Sequence, residues 1–244
     1  MGYPNDKDEP RETKGHKMTA PRRILSRCAA PLRRLSFSGS APYWDRRYLR
    51  GGDSGAGSSG DLAHYKARFV NSVLSEFGAE TIIEWGCGDG QQLALAEYPR
   101  YVGLDVSAAA IRRCLQRFPQ DKTKSFLAYD PSVLWDGAGF LRSDAALSLD
   151  VIYHLVEDSA FETYMTNLFL SAERLVVIYS SDLAVASLAP HIRYRRFSEW
   201  IAVHATEWCL VKTEINPYST THAEDTSRTM ASFFVYVKGA TTHE

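Results

Sequence analysis

Short β-branched runs alternate along this chain with longer stretches of helical period. Thr81-Ile82-Ile83-Glu84-Trp85, Tyr101-Val102-Gly103-Leu104-Asp105, residues 124–129, 144–150 and 174–179 read as strands. The first and last are apolar on both faces, the pattern of a buried parallel sheet. Amphipathic helices are expected from Asp61, from Ala108 after a Ser107 N-cap, and over 160–172, with Asp61 capping the first. Strands alternating with helices predict an α/β doubly wound architecture. Residues 208–212 and 231–238 add two late strands, and 216–228 reads as a polar surface loop.

The candidate chemistry begins where the first strand ends. Glu84-Trp85-Gly86-Cys87-Gly88-Asp89-Gly90 runs from a carboxylate into three alternating glycines and a helix start. Glycines allow positive φ and close backbone approach to a ligand, which then faces the N–H groups of a helix end. A dinucleotide fingerprint needs G-x-G-x-x-G. Here its third position is Gln91, and the glycine falls at Gly90. Glu84 would also set a like charge beside a pyrophosphate, whereas a ligand carrying an ammonium would be favoured by it.

The pattern E-x-G-x-G-x-G, with Asp105 ending the second strand, resembles class I S-adenosylmethionine-dependent methyltransferases. The resemblance covers roughly residues 43–182. It implies a three-layer, Rossmann-like, seven-stranded, mostly parallel sheet closed by an antiparallel edge hairpin, and S-adenosyl-L-methionine as cofactor. It assigns the cofactor to Glu84, Gly86, Cys87, Gly88 and Gly90, with Asp105 accepting from the ribose hydroxyls. Val106 and Tyr129 would cover the adenine, and Asp130 would accept from its amino group. A further resemblance joins Tyr43-Trp44, the Gly51–Gly60 segment and Leu62-Ala63-x-x-Lys66-Ala67 to a bacterial subgroup linked to polysaccharide and sugar modification. That segment is a flexible linker by composition, and its glycines suit a lid over the cofactor.

Ligands of doubly wound sheets lie beyond the carboxyl ends of the strands, which brings Asp150, Tyr153 and His154 to the reacting end. An alcohol acceptor must lose a proton, so His154 is the expected base and His191 a second candidate. No Asp/Asn-Pro-Pro-aromatic motif of nucleic-acid amino-methyltransferases follows the fourth strand, and no Pro-Cys pair offers a thiolate. The catechol-type metal triad is incomplete, with Asp150 present but Ser180-Ser181-Asp182 after the fifth strand, so no metal is expected. The expected reaction is methyl transfer to a small molecule, sugar or glycan precursor at oxygen. A nitrogen acceptor, an inactive cofactor-binding partner subunit and a nicotinamide-linked reductase are the alternatives.

At 244 residues, the chain suits one domain over 43–244 plus an appendage over 1–42. A formal net charge of −1 gives the expectation that nucleic acid is not a partner. Residues 1–42 hold nine Lys/Arg against four Asp/Glu, and are expected to be disordered, with peripheral contact to an anionic membrane as a second reading. Four cysteines without paired spacing fit a reducing, cytoplasmic setting.

Overall fold

The computed structural model describes residues 37–218 and 229–239. Residues 1–36 of the basic segment read over 1–42, and most of the late polar loop, therefore lie outside the described residues. Seven strands form one sheet: β1 Thr81–Trp85, β2 Arg100–Asp105, β3 Lys124–Ala128, β4 Ser143–Leu149, β5 Ala172–Ser180, β6 Trp208–Glu214 and β7 Ser232–Lys238, in the order β3-β2-β1-β4-β5-β7-β6. All pairs are parallel except those of β7, which runs antiparallel to β5 and β6. The expected sheet and its edge hairpin are both present.

The period of two along each strand divides the apolar residues between two cores. Ile82, Leu147, Val177 and Phe233 point to one face, where α2 (Gly60–Glu76) and α3 (Ala108–Arg117) cover them. Their neighbours Ile83, Ala146 and Val176 point to the other, beneath α4 (Asp158–Leu170) and α5 (Phe197–His204). A sheet buried on both faces needs strands without polar alternation, which is what the sequence pattern offered.

Two details differ from expectation. Ser107 caps α3 by accepting from Ala110 N, as read. Asp61 caps nothing; α2 starts a residue earlier at Gly60, and Asp61 is an acid in its first turn, favoured there by the helix dipole. An additional helix, α1 (Ser40–Leu49), spans the expected start of the domain at residue 43. Its first residue, Ser40, bonds through N and Oγ to the Glu157 carboxylate at 2.9 and 2.7 Å, tying it to the start of α4.

Strand order reverses between β2 and β4, on either side of β1. Crossovers leave that point in opposite directions, so a crevice opens at the carboxyl ends of β1, β2 and β4.

Candidate functional site

The glycine turn follows β1 into this crevice. Gly86, Gly88 and Gly90 take φ of 81°, 58° and 73°, a region costly for residues with a Cβ. Gly86 N and Cys87 N donate to Leu104 O of β2 at 2.7 and 3.0 Å, so the turn folds back over the neighbouring strand. Space matters as much as φ. A Cβ on Gly86 would stand 2.5 Å from Val151 Cγ2, and one on Gly88 2.4 Å from Ser54 Oγ.

Two buried carboxylates flank the turn. Asp105 accepts from Gly88 N at 2.9 Å and Ser107 N at 2.8 Å. Burial pushes its pKa up to about 6, although both backbone bonds pull the other way. Glu84 accepts from Tyr101 Oη at 2.6 Å. Burial raises it to about 7, against the pull of Tyr101 and of the Lys66 ammonium. Both acids line one cavity of about 270 Å³, near the lower end of the roughly 300–1,000 Å³ common for ligand sites.

Asp150, just past β4, is the only non-glycine among the described residues at positive φ, at 62°. Its carboxylate is held by Lys66 Nζ at 2.6 Å and Tyr153 Oη at 2.7 Å. The single turn Ile152–His154 then places the His154 ring against the edge of Trp44, with centroids 4.7 Å apart. His154 Nδ1 lies 3.2 Å from His191 O. Burial pushes the His154 pKa down to about 4, so the imidazole is neutral at pH 7. His191, the second base candidate, stacks on Tyr43 at 4.4 Å and does not line the cavity.

The Gly51–Gly60 segment is no open linker. Ser54 Oγ donates to Asp89 Oδ1 at 2.7 Å and shares a bond with Tyr48 Oη at 2.9 Å. A Cβ on Gly57 would meet Asp150 Oδ2 at 2.8 Å. This strap lies over the glycine turn, and Ser54, Ser58 and Lys66 all line the cavity.

Of the residues read from sequence, the structure brings Glu84, Gly86, Cys87, Gly88, Asp105, Val106, Asp150 and His154 to the cavity. Two stand elsewhere. Gly90 is not among the lining residues and abuts α3, where a Cβ would meet Phe118 Cε2 at 3.0 Å and Cys114 Sγ at 3.1 Å. Asp130 is exposed, and its Oδ1 accepts from Ser132 N and Oγ at 2.8 and 2.7 Å, an ordinary turn start. Pro131 and Tyr129 line the cavity in its place. Trp44, Tyr48 and Gln92 were not singled out as site residues: Trp44 and Tyr48 belong to a resemblance that assigns them no role, Gln92 to none, and only folding carries them to the crevice.

No protein-family model matches the chain. Over 128 residues, 48% of the chain, it is 27% identical to the small RNA 2′-O-methyltransferase of Arabidopsis thaliana; the match takes in 14% of that protein's length. Among solved structures it resembles the N-methyltransferase NodS of Bradyrhizobium japonicum WM9, crystallised with S-adenosyl-L-homocysteine. The TM-score is 0.61 at 16% identity, covering 82% of this chain and 99% of that one. The fold is the class I methyltransferase fold. The methyltransferase domain of bacterial CtHen1-C superposes with a TM-score of 0.57 at 20% identity, covering 74% of this chain and all of that domain. The expectation that nucleic acid is no partner is overturned, because the plant relative is named for acting on small RNA. Net charge averages 244 residues and is blind to the charge at one mouth.

Proposed function

We propose that this chain is an S-adenosylmethionine-dependent methyltransferase acting at an oxygen, on a hydroxyl of a sugar ring. The cofactor's sulfonium supplies an activated methyl group. The observation that carries the reading is the pair of buried acids, Glu84 and Asp105, on either side of a turn that excludes any Cβ. Glu84 suits an ammonium, and Asp105 suits the ribose hydroxyls, since an ionised carboxylate only accepts. Val106, Tyr129 and Pro131 offer apolar cover for a purine.

Chemistry at the far end is mainly positioning. Both Asp150 oxygens already accept hydrogen bonds, which makes that carboxylate a fixed negative group beside the acceptor rather than a free base. His154 is neutral at pH 7 and lines the same cavity, so a ring nitrogen is open to a hydroxyl, although burial makes it a weaker base than a free imidazole. An amine acceptor would need less base help, which is why His154 favours oxygen. The sugar class follows the sequence resemblance. It is consistent with the relative named for methylating a ribose 2′-oxygen in RNA.

The test is turnover to S-adenosylhomocysteine with free saccharides and nucleotide sugars in one arm, and small RNA in the other. Methylation of a hydroxyl in either arm supports the reading, and the responding arm names the acceptor. Transfer confined to amines, with hydroxyl acceptors silent, sinks it.

A further inference from the structure

Among the described residues that line the cavity, Lys66 is the one Lys or Arg, set against Glu84, Asp105, Asp150 and Glu157. It stands in the second turn of α2 and is 1% exposed. An ammonium this far from water needs a close partner, and its Nζ donates to Asp150 Oδ2 at 2.6 Å. Tyr153 Oη takes the other carboxylate oxygen at 2.7 Å, and the Tyr179 ring lies 5.3 Å from Nζ. Asp150 keeps a left-handed backbone, with φ at 62°, and the strap closes on it at Gly57. A strained residue persists only where its surroundings fix it, and these two side-chain bonds supply the hold. The pair of charges is therefore fixed and poorly screened at the reacting end of the site.

We propose that Lys66 is a positioning residue acting through Asp150: its ammonium cancels that carboxylate, so the reacting end does not hold a sulfonium much more tightly than a neutral thioether. The inference rests on the methyltransferase reading and adds a residue to it. Methyl transfer forms a C–O bond from an acceptor lone pair, leaves the C–S pair on sulfur and passes the hydroxyl proton to His154. The positive charge on sulfur is thereby lost. A bare carboxylate nearby would stabilise the charged ground state more than the partly discharged transition state, and only a preference for the latter speeds the reaction. Paired with Lys66, Asp150 keeps its place and its bond to Tyr153 without that bias. Lys66 also acts on Glu84, drawing its carboxyl down against the effect of burial. Glu84 suits the ammonium, which the methylated and demethylated cofactor share, so its influence falls equally on both.

The readout is the ratio of S-adenosylmethionine to S-adenosylhomocysteine affinity, measured by calorimetry on the full chain at pH 6.5 and pH 8. The two ligands differ by one methyl group and one charge, so changes in folding, cavity shape or Glu84 ionisation largely cancel. Lys66→Met keeps the stem and removes the charge. It should raise the ratio in favour of S-adenosylmethionine by about tenfold, the reach of one unit charge across several ångströms of poorly screened interior. Asp150→Asn leaves the ammonium uncompensated and should move the ratio about tenfold the other way, while the double variant returns it to within about twofold of wild type. Should one single variant fail to fold, the other decides alone. A ratio unmoved at both pH values, both variants moving it the same way, or a double variant that keeps either effect overturns the inference and leaves the methyltransferase reading standing. Wild-type protein that binds neither ligand instead removes that reading, and this one with it.

Discussion

The residues that define this site are acids placed where water is excluded. Desolvation favours their protonated forms, which is why Glu84 is raised to about 7 and Asp105 to about 6. Because the folded chain binds more protons than the unfolded one between roughly pH 4 and 7, these groups make the ligand-free fold less stable as pH rises through that window. A cationic ligand acts in the opposite sense, since it favours ionised Glu84. S-adenosylhomocysteine should therefore bind more tightly at pH 8 than at pH 5.5, with proton release near pH 6.5. Calorimetry in buffers of different ionisation enthalpy reads that release, and an affinity flat across the range contradicts it. Asp105→Ala should abolish measurable binding or weaken it by about 10²-fold, as two backbone donors lose their partner together with the ribose contact. For His154→Ala, kcat should fall by about 10²-fold with S-adenosylhomocysteine affinity within about twofold; equal turnover would remove His154 as base.

At the scale of elements, the decisive piece is the strap between α1 and α2. Composition presents it as a linker, but Ser54 fastens it to Asp89 and Tyr48, while Gly57 abuts Asp150. Ser54 and Ser58 of this segment line the cavity, and its hold there is a few hydrogen bonds. Ser54→Ala should speed S-adenosylhomocysteine dissociation several-fold and raise amide exchange over 51–59, with the global unfolding midpoint little changed. Stopped-flow displacement and hydrogen-exchange mass spectrometry measure the two. Gly88→Ala tests the same contact from below, where a Cβ would displace the Ser54 hydroxyl in a backbone conformation that already disfavours it.

The whole molecule depends on two cores separated by one sheet. Leu147 is fully buried in the first of them, so Leu147→Ala should destabilise the fold by about 2–5 kcal/mol in urea unfolding. We propose that the residues from 37 onward form the methyltransferase domain and that 1–36 are dispensable for cofactor binding. A chain shortened to 37–244 should keep its S-adenosylhomocysteine affinity within about twofold.

Strand identity, the two-sided burial of the sheet and the glycine turn were legible because they are local. A period of two, a β-branched run and an alternation of glycines each speak through neighbours in sequence. The acid two residues before the first glycine and the acid ending β2 were legible for the same reason, each having a strand end to fix its position. Gly90 and Asp130 stand outside the cavity lining, since their environment is set by α3 and by a local turn that the spacing does not encode. Gln92 carried no motif, and the motif holding Trp44 and Tyr48 gave them no place in a site. Their place in the cavity depends on how α1, the strap and α2 close over the crevice, contacts between residues tens of positions apart. The sequence by itself thus determined the sheet and the ligand class its first turn suits. Tertiary structure decided which side chains share the cavity, which oxygens are already satisfied, and which buried charges are paired, because desolvation and hydrogen-bond pairing are properties of packed neighbours rather than of order along the chain.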